Sequence, residues 1–128
     1  MDIRIPSKKV CQEFHFTYEL KGAQKGADVL ARYYGIRRMK IVLNGRRVGN
    51  GFDAIYDKNV SYFKKSGLNK SNVLHEFFHH LVYVKKLEMT HSREEREANR
   101  FVRDITKKNI PFIALTPEKV IFTGGKMR

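Results

Sequence analysis

The chain has 128 residues, with 26 Lys and Arg against 13 Asp and Glu, which gives a formal net charge of +13. This length suits one domain over residues 1–128, and the 41% hydrophobic content predicts a packed globule and excludes a disordered chain. The single cysteine, Cys11, excludes an intrachain disulfide, and no apolar run approaches the roughly 20 residues that a membrane span needs.

The charge and the first residues bear on partners and location. The start, Met1 to Pro6, has no apolar stretch of signal-peptide length, so we expect a cytoplasmic protein without membrane association. Such an excess of positive charge is compatible with nucleic acid or acidic protein segments as partners. The basic residues occur as scattered pairs such as Arg46-Arg47 and Lys64-Lys65, which also fits a solvated charged surface.

The residue pattern in the first half of the chain predicts two strands and a helix, followed by three more strands. Ile3 to Ile5 and the alternating run Phe14 to Tyr18 indicate strands, and Lys21-Gly22 breaks the second run. Apolar residues at helical spacing from Ala23 to Tyr34 predict a helix that Gly35 ends.

Three further strands are expected after this helix. Met39–Leu43 is the first and ends at the tight-turn pair Asn44-Gly45. Val48 and Phe52–Tyr56 indicate the second, and Val60–Phe63 the third, with a hairpin turn at 57–59 between them. Phe52–Tyr56 and Val60–Phe63 would suit the exposed edge on which a peptidase lays an extended substrate, or they are core sheet.

Two long helices follow, and the first has one polar arc on an otherwise apolar surface. It is predicted from about Val73 to Lys86, with Ser71 or Asn72 as its N-cap. At 100° per residue its polar side chains fall together in an arc of about 140°, which must face a cleft or a metal. These side chains are His75, Glu76, His79, His80 and Tyr83. The second helix is predicted from about Ser92 to Lys108, and Pro111 prevents its continuation.

His75-Glu76-Phe77-Phe78-His79 has the spacing of a zinc-binding and water-activating helix. Histidines four residues apart stand one helical turn from each other, so both imidazoles can reach one ion. Glu76 lies between them and can reach a water on the metal without being a ligand. A hydrolytic zinc site usually has three protein ligands, so a third is required from elsewhere in the chain.

The run Glu95-Arg96-Glu97-Ala98-Asn99 on the following helix resembles the glutamate helix of the gluzincin zinc peptidases. Asn99-Arg100-Phe101 continues the similarity to ImmA/IrrE-like peptidases, and the small size resembles the minigluzincins. The resemblance covers about residues 73–102. It implies that Glu95 is the third ligand and that Asn99 holds a metal-bound histidine.

The resemblance also implies a fold. Outside residues 73–102, only the coarse order of the predicted elements matches it. We expect an α+β, zincin-like domain with an N-terminal helix packed on a short, mostly antiparallel sheet. The active-site helix and the glutamate helix then follow.

Several alternatives to Glu95 and to its role remain open. Glu94 falls nearer the centre of the apolar face and is a rival ligand, and Glu95 with Ser92 also has the spacing of a capping box. His91 is another candidate, because SprT-like peptidases use a third histidine downstream; those proteins also bind DNA.

Two further side chains belong to the polar arc of the first long helix. His80 is expected to line the cleft or to be hydrogen-bonded, and Tyr83 to support an oxyanion or simply to pack.

We therefore expect a zinc metallopeptidase with one catalytic Zn2+, in which Glu76 activates water for hydrolysis of a peptide or protein substrate. The alternative is a regulatory or nucleic-acid-associated metalloprotein of ImmA/IrrE or SprT-like type, with restricted or no general proteolysis. A purely structural helix without metal is the third hypothesis. Residues 111–128 are candidates to complete the sheet, to cover the cleft or to pair two copies into a homodimer.

Overall fold

The computed structural model describes residues 3–107, which contain five α-helices, one short 3-10 helix and a three-stranded mixed sheet. This part of the chain is therefore α+β, as predicted. The roles considered for residues 111–128 lie outside the described residues. The helices are α1 (Lys8–Lys21), α2 (Ala23–Tyr34), α3 (Gly45–Val48), α4 (Lys70–Lys85) and α5 (His91–Lys107); the strands are β1 (Lys40–Leu43), β2 (Ala54–Asp57) and β3 (Val60–Phe63).

The prediction of strands in the N-terminal segment is wrong, because residues 3–7 form no strand and Lys8–Lys21 form helix α1. The Ser7 side chain caps this helix by accepting a hydrogen bond from the Val10 N–H at 3.3 Å. The alternation over five residues hid a longer helical spacing, in which Cys11 and Phe14 are fully buried and Phe16 is 57% exposed. The N-terminal unit is therefore a pair of packed helices rather than strands and one helix.

Helix α2 and the strand after it agree with the sequence expectation. Gly35 ends α2 in the left-handed conformation at φ 66°, where a residue without Cβ carries no steric penalty. Gln24 joins α2 to the sheet: its amide donates to the Met39 carbonyl at 3.0 Å, and its oxygen accepts from the Ile41 N–H at 2.9 Å. This side chain thus covers part of the outer edge of β1.

The sheet is mixed rather than mostly antiparallel, and its strand order is β1-β3-β2. β3 lies in the centre, parallel to β1 and antiparallel to β2. The hairpin turn between β2 and β3 is confirmed, with Lys58 at φ 45° and Asn59 at φ 75°. The predicted Asn44-Gly45 turn is instead the start of helix α3, which contains Val48 and is capped by Asn44. That short helix carries the chain past β3 to the far edge of the sheet.

The backbone of β2 has an open edge that faces away from β3. The Lys64 N–H donates to the Asp53 carbonyl at 3.0 Å, so these two residues form a hydrogen-bonded pair at the start of the ladder. Such pairs alternate with non-hydrogen-bonded pairs along antiparallel strands. Ala54 and Tyr56, opposite Phe63 and Ser61, are therefore at positions whose backbone N–H and C=O groups point outward.

Helices α4 and α5 form a packed hairpin that provides much of the core. Phe101 of α5 lies against two rings of α4, with ring centroids 6.5 Å from Phe77 and 5.5 Å from Phe78. Ala98 is fully buried, consistent with a small residue that lets two helices approach closely. None of the helices in the described part of the chain has both the length and the hydropathy that a bilayer-spanning segment needs.

The N-terminal caps of α4 and α5 differ from the predicted ones. Helix α4 begins at Lys70 because Asn69, rather than Ser71 or Asn72, accepts from a backbone N–H, that of Asn72 at 2.9 Å. The Ser92–Glu95 capping box, which was the alternative to ligation by Glu95, is not among the described hydrogen bonds, and Ser92 lies inside α5. The Arg93 N–H instead donates to the Thr90 hydroxyl at 3.1 Å, which leaves the Glu95 side chain available for other contacts.

The buried His15 predicts a loss of stability on acidification. Burial lowers its pKa from 6.5 to about 4, against the opposing effect of the hydrogen bond to the Ile105 carbonyl. Between these pH values the unfolded chain binds a proton at His15 that the folded chain does not bind. The contribution of neutral His15 to the free energy of unfolding is therefore complete above pH 6.5 and falls as the pH drops toward 4. This difference corresponds to at most about 3 kcal/mol. In urea titrations with a metal chelator, His15→Gln should lose less stability over this range than wild type.

The matched control is His91→Gln, because the His91 residue is exposed. This variant should show the wild-type pH dependence. An equal loss of stability in wild type and His15→Gln between pH 6.5 and 4.5 would contradict the assignment.

Candidate metal centre

Helix α4 places its two motif histidines next to each other because they are four residues apart, and the burial of its other sides directs them to a cleft. Their ring centroids are 5.0 Å apart, and their side chains are 21% and 13% exposed for His75 and His79. The rest of the helix surface enters the core, which fixes the rotation of α4 about its axis and directs this arc to a cleft. The buried apolar residues are Val73, Leu74, Phe77, Phe78, Leu81 and Val82.

Glu95 from the first turns of α5 meets both histidines. One carboxylate oxygen is 3.1 Å from His75 Nε2 and the other is 2.9 Å from His79 Nε2. One ligand atom from each of the three residues lies within 4.8 Å of the others. At typical zinc–ligand lengths, tetrahedral donors are about 3.3 Å apart, so these separations are close to those of a metal site.

The Nδ1 atom of each histidine faces an oxygen atom, which can only accept a hydrogen bond. His75 Nδ1 is 3.1 Å from Asn99 Oδ1, and His79 Nδ1 is 2.5 Å from Glu94 Oε2. With each Nδ1 donating to its oxygen, Nε2 is the ring atom directed at the Glu95 carboxylate, and it offers a lone pair when the ring carries no second hydrogen.

This orientation suits a cation between the three side chains. Two nitrogen lone pairs that face carboxylate oxygens at 2.9 and 3.1 Å repel each other unless protons or a metal ion lie between them. Protons would require two imidazolium rings side by side, whereas one divalent ion satisfies all three donors. The residues present thus fit a zinc ion, for which two imidazoles and a carboxylate are a suitable ligand set.

The rival third ligands are placed elsewhere. Glu94 contacts His79 at Nδ1, on the side opposite the shared point, which suits a residue that orients a ligand. His91 lines the same cavity but does not belong to the cluster found among the described residues. The structure brings together His75, His79, Glu95 and Asn99 in the arrangement that the resemblance implies.

The role of Glu94 was missed, although the helix directions contain the signal for it. In an antiparallel helix hairpin, later residues of the first helix meet earlier residues of the second. Asn99 follows Glu95 and contacts His75, so the partner of His79 should precede Glu95, as Glu94 does. The position of Glu94 around its own helix, considered without the packing of α5 on α4, instead suggests that Glu94 is a metal ligand.

Glu76 lies in the same cavity of about 430 Å³ as the three donors. Burial raises the pKa of its carboxyl to about 7, which nearby His79 counteracts and Glu95 reinforces. The side chain is 8% exposed by surface area, so it is sheltered without being sealed from the cavity. A carboxyl group in this position can accept and release a proton near neutral pH.

His80 is hydrogen-bonded and fully buried, and it joins α4 to β2. Its Nε2–H donates to the Arg37 carbonyl at 2.8 Å, so Nδ1 accepts from the Tyr56 hydroxyl at 2.7 Å. The same hydroxyl accepts from the Asn59 N–H at 2.7 Å, and burial lowers the pKa of His80, which keeps it neutral. The expectation of a hydrogen-bonded residue that is not a ligand agrees with this placement.

Tyr83 and Tyr56 lie on the side of the cleft beyond His79. Tyr83 is 43% exposed and lines a neighbouring cavity rather than the one that contains Glu76. Tyr56 lines both cavities and was not singled out from the sequence, because its position depends on the strand order of the sheet. Oxyanion support by Tyr83 stays a prediction.

Comparisons of the chain with protein-family models, with curated proteins and with solved structures found no match.

We expect Glu94 and Asn99, which contact the Nδ1 atoms of the two histidines, to affect metal affinity less than Glu95 does. Glu94→Ala and Asn99→Ala should each weaken zinc binding by about 10–100-fold, because the ligand rings lose their orientation. Glu95→Ala should lose tight binding altogether. Competition with a chromophoric chelator measures these affinities, and Glu97→Ala on the same helix is the matched control. Wild-type affinity in Glu94→Ala would show that its contact with His79 is incidental.

Proposed function

We propose that this protein is a zinc-dependent peptidase in which His75, His79 and Glu95 hold the ion and Glu76 is the catalytic acid–base. The single observation that carries the proposal is the convergence of two histidine Nε2 atoms on one carboxylate, with Glu76 in the same cavity. The likeness of residues 73–102 to gluzincins supports the same reaction. We also propose that the α+β fold is of the zincin type.

A bound zinc ion would supply a Lewis acid that polarises a carbonyl group and makes water more acidic. Glu76, with a pKa of about 7 in the described structure, removes a proton from a water molecule in the cleft as that water attacks the scissile carbonyl. The same carboxyl then gives the proton to the departing amine nitrogen, which completes hydrolysis. Glu94 and Asn99 hold the two imidazoles in place throughout.

The open edge of β2 supports a peptide as the substrate. Ala54, Ile55 and Tyr56 line the cavity that contains Glu76, and the strand register directs the backbone groups of Ala54 and Tyr56 outward. An extended peptide can add to this edge through main-chain hydrogen bonds, which bind any sequence without selecting one. The opposite edge of the sheet is partly covered by Gln24. Only the β2 edge combines an open backbone with proximity to Glu76 in residues 3–107.

The direct test is the isosteric change Glu76→Gln. It should leave zinc affinity close to that of wild type and lower peptide hydrolysis by at least roughly 100-fold, because the amide cannot exchange the proton. A proteome-derived peptide mixture, analysed by mass spectrometry for new termini, detects cleavage whichever peptide sequence the enzyme prefers.

Two controls separate chemistry from folding and metal loss. Glu97→Gln on α5 should retain both zinc and hydrolysis, whereas Glu95→Gln should lose both. Hydrolysis by Glu76→Gln at the wild-type rate, or no cleavage of any peptide by the zinc-loaded wild type, would overturn the proposed function.

A further inference from the structure

The cavity around Glu76 continues into a second cavity of about 700 Å³. Tyr56, His79 and Glu94 line both, so the two form one trough that passes the metal-binding side chains. On the side of Glu76 the wall is apolar, with Phe52, Ala54 and Ile55. The far wall combines an exposed aromatic ring with charged groups: Arg37, Asp57, Lys58, Tyr83, Lys86 and Glu88.

The carboxylates of the second cavity are largely engaged, whereas its lysines are exposed. Asp57 forms an ion pair with Arg47 outside the cavity at 2.5 Å, and Glu94 is held by His79. Among these carboxylates the described ion pairs join only Asp57 to an Arg or Lys, which leaves Glu88 and Glu94 to be counted. Arg37, Lys58 and Lys86 outnumber these two, and the net charge of +13 adds to the positive potential there.

The two lysines occupy backbone positions that disfavour them. Lys58 in the hairpin turn has φ 45°, and Lys86 at the C-cap of α4 has φ 54°. Glycine or asparagine is the usual residue at both kinds of position, because a larger L-residue is strained there. With Asn59, these are the three non-glycine residues with positive φ between residues 3 and 107. Strained residues that persist next to a cleft point to a use for their side chains.

Resting on the proposed peptidase function, we propose that this second cavity is a subsite for acidic residues of the peptide, with Lys58 and Lys86 as its cations. A peptide laid along β2 would place one part over Phe52 and Ile55 and another beside the two lysines. The preferred substrate thus has an apolar segment on one side of the scissile bond and Asp or Glu on the other.

A peptide explains this trough better than a nucleic acid does. The cations lie at the end of an open strand edge, which pairs with an extended polypeptide backbone. A single-stranded nucleic acid would require several aromatic rings for base stacking, whereas Tyr83 is the one exposed aromatic side chain that lines the second cavity.

The test uses zinc-loaded Glu76→Gln protein, so that binding is measured without cleavage. The probes are two fluorescein-labelled octapeptides, one with four apolar residues and four Glu, and one with Gln in place of Glu. Each is made in both orders, so that chain direction does not decide the result. An exposed ion pair contributes modestly, so two should give a roughly three- to tenfold lower Kd for the Glu peptide at low salt.

The lysine variant is Lys58→Asn combined with Lys86→Gly, which places turn-favouring residues at the two strained positions. It should lose the preference for the Glu peptide while its Tm rises by roughly 2–6 °C, so misfolding cannot explain the loss. The matched control, Lys9→Gln with Lys25→Gln, removes the same charge from exposed helix positions outside both cavities. It should keep the preference.

Three results would overturn the subsite. These are equal affinity for the two peptides, an equal loss of preference in the control, or tighter lysine-dependent binding of a single-stranded oligonucleotide. A lower Tm in the lysine variant would likewise count against it, since the lysines would then serve folding. Hydrolysis by the wild type is measured separately. Selective binding without any hydrolysis would refute the peptidase and retain the acidic subsite.

Discussion

The site depends on one electrostatic constraint: two imidazole nitrogens face one carboxylate at 3.1 and 2.9 Å, an arrangement that a divalent cation between them would stabilise. The hydrogen bonds behind the rings create this constraint, because Asn99 and Glu94 fix the hydrogen on each Nδ1. Without those partners either ring could rotate or change tautomer, and the contact with Glu95 would be an ordinary ion pair. The positioning residues are therefore as informative about function as the ligands.

The fold holds this constraint in place by burying the apolar side of α4 behind the two histidines. The ring contacts of Phe101 with Phe77 and Phe78 fix α5 against α4, which sets where Glu95 meets the histidines. On the other side, the chain of hydrogen bonds from Asn59 through Tyr56 to His80 fixes the edge strand relative to the same helix. The candidate metal ligands and the open edge of β2 are thus both held in place by contacts with α4.

The sequence was sufficient for the parts of the site that lie on one continuous element. Helical phase placed His75 and His79 on one arc, and the spacing on the next helix identified Glu95 and Asn99 through the family resemblance. The contact of Glu94 with His79 was not predicted, because phase describes a helix alone, whereas this contact depends on the antiparallel packing of two helices. Local pattern cannot specify such contacts between elements.

The errors in the fold have the same physical origin. Residues 14–18 alternate like a strand over five positions, yet α1 forms because Cys11 and Phe14 are buried together. The mixed sheet follows from the path of α3, which carries the chain across the central strand before the hairpin returns. Strand order depends on long-range packing, so neither the parallel pairing nor the role of Tyr56 was visible in the sequence.

The most direct measurement is a crystal structure of the protein grown with zinc, with anomalous diffraction recorded on both sides of the zinc absorption edge. We expect one strong anomalous peak about 2.0–2.2 Å from His75 Nε2, His79 Nε2 and a Glu95 oxygen, with Glu94 and Asn99 retained at the Nδ1 atoms. No peak at this point, or a Glu95 side chain turned to solvent, would contradict the account.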